Sequence, residues 1–286
     1  MSQFEFQAIG TTWKIDMDKK LSPVKEGSLL QKILERISKF NLVYSRFQDN
    51  TLVTKMSRKA GSYTLPDDAD IMITLYKKIY DVTDGSVTPL IGQVLVDAGY
   101  DANYSLVQKS LTKPKKWEEV IIWENPTLTL QEPTLLDFGA GGKGYLVDIV
   151  SKILESEGIE SYCVDAGGDM RVRGQELRVG LENPTDTTSV IGITNLKNQS
   201  LCGSAGNRRA WGNFHHIINP ETLTSPRKIL AVWVVAKTTI LADLMTTGLF
   251  FVSPQTLLQH FDFEYLILCP DFSIEKSKGF EVELFT

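Results

Sequence analysis

The chain has 286 residues, of which 42% are hydrophobic and 23% charged, and its formal net charge is −5. That is enough apolar material for one large domain or two closely packed halves, and it excludes wholesale disorder. The absence of a Lys/Arg block disfavours a nucleic-acid partner, the three scattered cysteines support neither a disulfide framework nor a zinc knuckle, and no apolar run is long enough for a membrane span.

The N-terminal stretch MSQFEFQAIGTTWKID is acidic and polar where a signal peptide needs an apolar run, and it carries no lipoprotein cysteine. A soluble cytoplasmic protein is the expectation. The stretch FEFQAIGTTWKIDM predicts an opening strand. Helical spacing of Leu29, Leu30, Ile33, Leu34 and Ile37 predicts a helix over 24–40. A second helix over 67–81 places Ile71, Met72, Leu75, Ile79 and Tyr80 on one side. TDGSVTPLIG then turns the chain.

From Trp117 onward EEVIIWE and TLTLQ predict strands, and a further strand, TLLDFG, runs into a glycine cluster. A helix over 143–156 turns Leu146, Ile149, Val150, Ile153 and Leu154 inward and stops at Gly158. SYCVD, DMRVRG, LRVGLE, ILAVWVVA, YLILCP and FEVELF predict strands, with helices over 241–252 and 254–260. Strands and helices mix without regular βαβ alternation. The expected fold class is α+β, with mixed sheets and packed helices in a single domain over 1–286 built of two intimately associated halves.

Gly139, Gly141 and Gly144 in LLDFGAGGKGYLVDIV fit G-x-G-x-x-G, and Asp165 follows about 20 residues on. Glycines at a helix start let a phosphate approach free backbone N–H groups, so phosphate or nucleotide binding is expected. A nicotinamide Rossmann site remains an alternative, as does a glycine-rich helix start without ligand. A Walker A loop is excluded, because Gly144 stands where Ser or Thr must follow the lysine.

Asp243 and Thr247 are four residues apart and share a helix face, a carboxylate–hydroxyl pair suited to a hard cation such as Mg²⁺. The plainer alternative is a dipole-favouring Asp and a back-bonded Thr. In NFHHIINPETLTSP, His215 and His216 would point to opposite faces of a strand, so at most one enters a given pocket. Such a histidine is a general-base candidate, with a backbone-satisfied strand-end histidine as the alternative. His260 lies in an amphipathic tail and is expected to be structural.

Taken in order, these stretches resemble the ApbE-type FAD:protein FMN transferases over almost the whole chain. AIGT resembles that family's M-G-T opening and YSRFQDNTL its S-x-y-x-x-x-S segment. TDGSVTPLIGQVL resembles T-D-G-a-f-D-p-T-v-g-p-L, and LDFGAGGKGYLVD closely matches D-l-G-a-i-a-K-G-y-a-v-D. CVDAGGDMRVRG is similar to n-a-G-G-d-i, HIINPETLTSP to H-I-i-D-P-r-T-G-x-P, and ILADLMTTGLF to a-D-A-l-a-T-a-l-f.

The resemblance implies Mg-dependent transfer of FMN from FAD to a Thr or Ser hydroxyl of an acceptor protein, with release of AMP. FAD hydrolysis to FMN and AMP, or FAD binding without chemistry, are the alternatives at the same site. By resemblance, Asp243, Thr247 and the Ala140 carbonyl ligate Mg²⁺, Asp137 and Lys143 contact FAD, and Ile9, Phe47, Ser86, Val87, Thr88 and Ile217 line the cofactor. His216 matches the proposed base. Lys143 is also the expected cation that offsets Asp137. The chain departs from the family pattern at Ile9 (usually Met), Thr88 and Asn219 (usually Asp), Leu223 (usually Gly), and in the loop of Gly141 and Gly142.

Overall fold

The opening apolar stretch folds as a hairpin of two strands, β1 (Ser2–Ala8) and β2 (Thr11–Met17), rather than one strand. The reversal is made by Ile9 and Gly10, both left-handed, at φ 44° and 78°. Two successive positive-φ residues match the twist of the flanking strands. A β-branched residue is a poor occupant of that conformation, which is why no turn was legible at Ile9. The computed structural model describes residues 1–207 and 209–285.

The predicted first helix is α1 (Pro23–Tyr44), with the Ser22 hydroxyl accepting from the Lys25 N–H and proline in the first turn. A short α2 (Leu52–Met56) and β3 (Gly61–Thr64) follow. The second predicted helix is α3 (Ala69–Val82), which buries Met72, Ile73, Tyr76 and Ile79 but leaves Ile71 48% exposed, so its inward face is rotated from the expected one. Next come α4 (Gly92–Asp97), α5 (Trp117–Val120), β4 (Ile121–Glu124) and β5 (Thr127–Leu130). The expected strand TLLDFG does not form. Residues 134–139 cross the interior unladdered, with the Thr134 and Asp137 N–H groups donating to the Met56 and Pro89 carbonyls.

The second half holds α6 (Gly142–Ser156), β6 (Tyr162–Ala166), β7 (Asp169–Arg173), β8 (Glu176–Asn183), β9 (Asp186–Lys197) and β10 (Ser200–Ala205). Two-residue strands β11 (Ala210–Trp211) and β12 (Phe214–His215) precede β13 (Ala231–Ala236), α7 (Thr239–Gly248) and α8 (Pro254–Leu258). The chain closes with β14 (Phe263–Leu268), β15 (Ile274–Lys276) and β16 (Glu283–Leu284).

The central sheet has the order β1-β2-β6-β7-β10-β13-β14-β15. Every neighbouring pair in it is antiparallel. That excludes a Rossmann fold, which needs parallel strands around its glycine loop. Alternation along β13 splits the core. Val232 and Val234 face the helices, while Ala231, Trp233 and Val235 face a small sheet of order β16-β9-β8. The architecture is α+β, as expected. Among the described residues no helix is long and apolar enough to cross a membrane.

Helices α6 and α7 pack antiparallel, and each carries a carboxylate that caps the other. Asp148 of α6 accepts the Thr239 and Ile240 N–H groups at 2.9 Å each, and Asp243 of α7 accepts the Gly144 N–H at 2.9 Å. The approach is tight. A Cβ at Gly144 would lie 2.4 Å from the Thr239 carbonyl oxygen, and one at Gly141 would lie 2.6 Å from Leu244 Cγ. Two glycines of the G-x-G-x-x-G pattern therefore serve helix–helix contact.

Gly144→Ala should force the two helices apart and cost about 3 kcal/mol, read from urea denaturation. A loss below ~0.5 kcal/mol would mean that the contact relaxes freely. Ile9→Asn places a residue suited to the left-handed turn and should raise stability by about 1 kcal/mol in the same assay. No gain, or a loss, would mean that Ile9 packing outweighs its backbone strain.

Candidate functional site

The site forms where several chain reversals meet at one end of the central sheet. The turn of Ile9 and Gly10 lies at the same end as the turn of Gly167 and Gly168, where a Cβ on Gly167 would fall 2.0 Å from Thr11 Oγ1. A cavity of about 130 Å³ is lined by Phe47, Ser86, Val87, Thr88, Asp137, Ala140, His216, Ile217, Asp243 and Thr247. Ile9 and Lys143 line an adjoining cavity of about 410 Å³, which shares Phe47, Tyr100, Asp137 and Arg209 with the first. The structure thus brings together every residue that the family resemblance assigns to the site, in two adjoining compartments, whereas Asp165 of the glycine fingerprint lines a different groove.

Asp137 is offset by Arg46, not by Lys143 as expected. Arg46 Nε donates to Asp137 Oδ2, while Oδ1 accepts the Gly139 N–H at 2.7 Å. Arg46 is buried, donates to the Tyr100 carbonyl at 2.7 Å, and lies over the Phe47 and Tyr100 rings at 4.2 and 4.9 Å. Its Nη2 has no partner among the described residues. Phe47 also stacks on Tyr104 at 5.7 Å between ring centroids. Of this aromatic wall only Phe47 was selected from the sequence; Arg46 lies beside it in YSRFQDNTL without a role there, and Tyr100 and Tyr104 stand in a distant stretch with no motif of their own.

Lys143 pairs with Asp169 at 2.8 Å and donates to the Ala166 carbonyl at 3.0 Å. It is therefore tied to the strand turn rather than standing free for phosphate. Its ammonium pKa is raised, because Asp169 and Asp243 outweigh its burial. Asp169 was visible in the GGD stretch of the sequence but had no stated role there.

Asp243 is buried, and burial together with the Asp169 charge pushes its carboxyl well above the usual range. One of its oxygens is taken by the Gly144 N–H. Thr247 lines the same cavity one helical turn on, and Ala140 closes it from the loop before α6. Thr246, the preceding residue, bonds to Ser204 at 2.8 Å. Carboxylate, hydroxyl and carbonyl oxygens are the donor types of a hard cation, and a carboxyl strained by burial and a like charge is one that a cation would relieve. These residues fit Mg²⁺.

The paired histidines divide as expected. His215 turns inward, with Nε2 at 2.9 Å from the Pro226 carbonyl and Nδ1 accepting the Ile217 N–H at 3.2 Å. His216 faces the cavity and its buried Nδ1 has no partner among the described residues. Burial first, then the positive charge of Arg209, lowers the His216 pKa to about 3. The ring is neutral near pH 7. His260 is exposed and reaches no part of the site.

Three departures from the family pattern have local explanations. The Thr88 hydroxyl accepts the Leu90 N–H at 3.2 Å and starts a 3₁₀ turn, a capping task that Asp also performs. Asn219 Oδ1 accepts the Glu221 and Thr222 N–H groups, closing the turn that an Asp would close. Leu223 holds φ 57° where glycine is usual, so the left-handed turn is kept at a steric cost.

A family model described as the ApbE family matches residues 9–266. The chain is 26% identical over 266 residues to the FAD:protein FMN transferase of Vibrio cholerae serotype O1, covering 84% of this chain and 78% of that protein. It is 22% identical over 275 residues to the protein of the same name from Escherichia coli K12, covering 88% and 78%. Among solved structures it matches the flavin transferase ApbE from Vibrio cholerae with a TM-score of 0.81 at 20% identity, covering 96% of each chain. It also matches the ApbE protein of Thermotoga maritima with a TM-score of 0.83 at 21% identity, covering 97% of each.

The lowered pKa of His216 has a signed consequence. Between the ordinary value of 6.5 and about 3, the unfolded chain binds a proton that the folded chain refuses. His216 therefore withdraws stability as pH falls through that window, by at most roughly 1.4 kcal/mol per pH unit. His216→Gln should gain stability relative to the parent as pH falls from 7 to 4, measured by urea midpoints. A gap that does not change with pH would mean that His216 protonates freely in the folded protein.

Proposed function

The chain belongs to the ApbE family, and on that premise we propose that it moves the FMN moiety of FAD onto a Thr or Ser hydroxyl of an acceptor protein. In that reaction the hydroxyl oxygen bonds to the FMN phosphorus, the P–O bond to AMP breaks, and AMP leaves with the electron pair. The observation that carries the proposal is one cavity lined by Asp243, Thr247, Ala140 and His216. It combines a hard-cation donor set with an unpartnered imidazole, which is what phosphoryl transfer asks of a protein. The same reading takes residues 1–286 as one catalytic domain, because the cavity draws on both halves of the chain.

Each residue has a defined task in this reading. Asp243, Thr247 and the Ala140 carbonyl would hold Mg²⁺. Bound there, the ion supplies positive charge beside the pyrophosphate oxygens. His216, neutral and lining the cavity, accepts a hydrogen bond from the acceptor hydroxyl and takes its proton as the new P–O bond forms. An adjacent phosphate anion favours the imidazolium and lifts the low pKa found without substrate. Arg46 fixes the Asp137 carboxylate in place. Phe47, Tyr100 and Tyr104 offer ring faces to the planar parts of FAD. Lys143, held by Asp169, adds a fixed positive charge behind the α6 start.

Incubation with FAD, with and without Mg²⁺ and an acceptor carrying an Asp-x-x-Thr segment, should yield AMP and a flavin-fluorescent acceptor band that survives a denaturing gel. AMP without the band would make the protein an FAD hydrolase, and neither product would reject both catalytic readings. Asp243→Asn keeps an oxygen for the Gly144 N–H while removing the charge. It should lower Mg-dependent turnover on the order of 10²-fold with little change in melting temperature. Turnover equal to the parent would remove Asp243 from the metal site. His216→Ala should slow transfer far more than it weakens FAD binding, and equal loss of both would make His216 a binding residue.

A further inference from the structure

The central sheet contains an open edge in its interior. Strand β10 pairs with β13 over residues 200–205, but with β7 only over residues 200–202. The β7 side ends early because the chain reverses at Gly167 and Gly168, both at positive φ. Residues 203–205 therefore have a strand neighbour on one side only, and Gly203 is exposed although its strand lies in mid-sheet. Unsatisfied strand edges are templates for another extended chain. Beside this edge lies a groove of about 510 Å³, walled by Leu177 and Val179 of β8 and by Trp233.

The groove continues into the candidate active site. Ser204 lines both the groove and the cavity of His216 and Asp243. Its hydroxyl bonds to Thr246 of α7, so Ser204 faces the helices. Gly203 faces the other way, since a Cβ there would lie 3.1 Å from Trp233 Cδ1 in the small-sheet core. A segment paired against residues 203–205 would alternate in the same manner. One side chain would enter the groove, and the next would point to the His216 side.

We propose that this notch docks the acceptor protein, which adds an extended segment to β10 and so delivers its Thr or Ser side chain to the helix-side cavity. The inference rests on the transferase reading for its chemistry, and on the sheet geometry for its place. The recognised feature is main-chain hydrogen bonding, with a small or apolar residue next to the hydroxyl residue seated against Leu177 and Val179. Glycine at 203 keeps the edge accessible.

The test uses the full chain, a short labelled peptide carrying an Asp-x-x-Thr segment, and the same peptide N-methylated at the residues flanking the threonine. The parent should bind the plain peptide in fluorescence polarisation. N-methylation should weaken binding and transfer about tenfold or more, because main-chain bonds are lost. Gly203→Val should do the same to the plain peptide while FAD binding stays at the parent value, with a lowered melting temperature because the new side chain meets Trp233. Equal binding of both peptides, no peptide binding by the parent, or equal peptide binding by Gly203→Val would overturn the docking site. Loss of FAD affinity in Gly203→Val would assign the groove to the dinucleotide instead. A parent that binds the plain peptide, discriminates against the N-methylated one and makes no flavin bond would keep the docking site and reject the transferase reading.

Discussion

The contact between α6 and α7 is the constraint on which the site depends. Two helices from distant parts of the chain approach closely enough that Gly144 has no room for a side chain. At that distance each helix reaches the free N–H groups of the other, and Asp148 and Asp243 satisfy them. A charged hydrogen bond to a helix start contributes roughly 1.5–3 kcal/mol when buried. The same geometry leaves the Asp243 carboxyl at the cavity floor with Ala140 and Thr247 around it. Packing and site chemistry are thus one arrangement: a wider helix separation would remove the cap and the oxygen cluster together.

Charge is partitioned with little slack around this contact. Arg46 answers Asp137, Lys143 answers Asp169, and Asp243 has a backbone N–H but, among the described residues, no ion pair of its own. A buried carboxylate is costly unless something positive reaches it, and its raised pKa expresses that cost. His216, hemmed in by Arg209 and its own burial, stays neutral. The cavity therefore offers a site short of one cation beside a neutral imidazole. Arg46 and Lys143 keep the two outer carboxylates, Asp137 and Asp169, from competing for that cation, and of these four residues Arg46 and Asp169 were not chosen by motif.

Strain is placed at the rim. Ile9 and Leu223 occupy left-handed conformations that glycine or asparagine would take more cheaply. Ile9 lines the larger compartment, and Leu223 closes the turn that follows β12 and His216. In both cases the turn geometry is kept with a bulkier residue, so the shape is dictated by the surrounding structure and not by local preference.

Much of the secondary structure and the list of site residues were legible in the chain. Helical periodicity located α1, α3, α6 and α7, and ordered short motifs pointed to the residues that line the two compartments. The hairpin at Ile9, the missing strand at residues 134–139 and the long strand β9 were not legible. Each depends on a turn or a partner strand that local composition does not specify. The sequence determined which chemical groups exist and in what order, because motifs are local. Only the tertiary structure decided which carboxylate each cation serves, that the fingerprint glycines make room for a helix, and that β10 keeps an open edge. Those outcomes follow from close approach between segments that are remote in the chain, and distance in space is not written in local pattern.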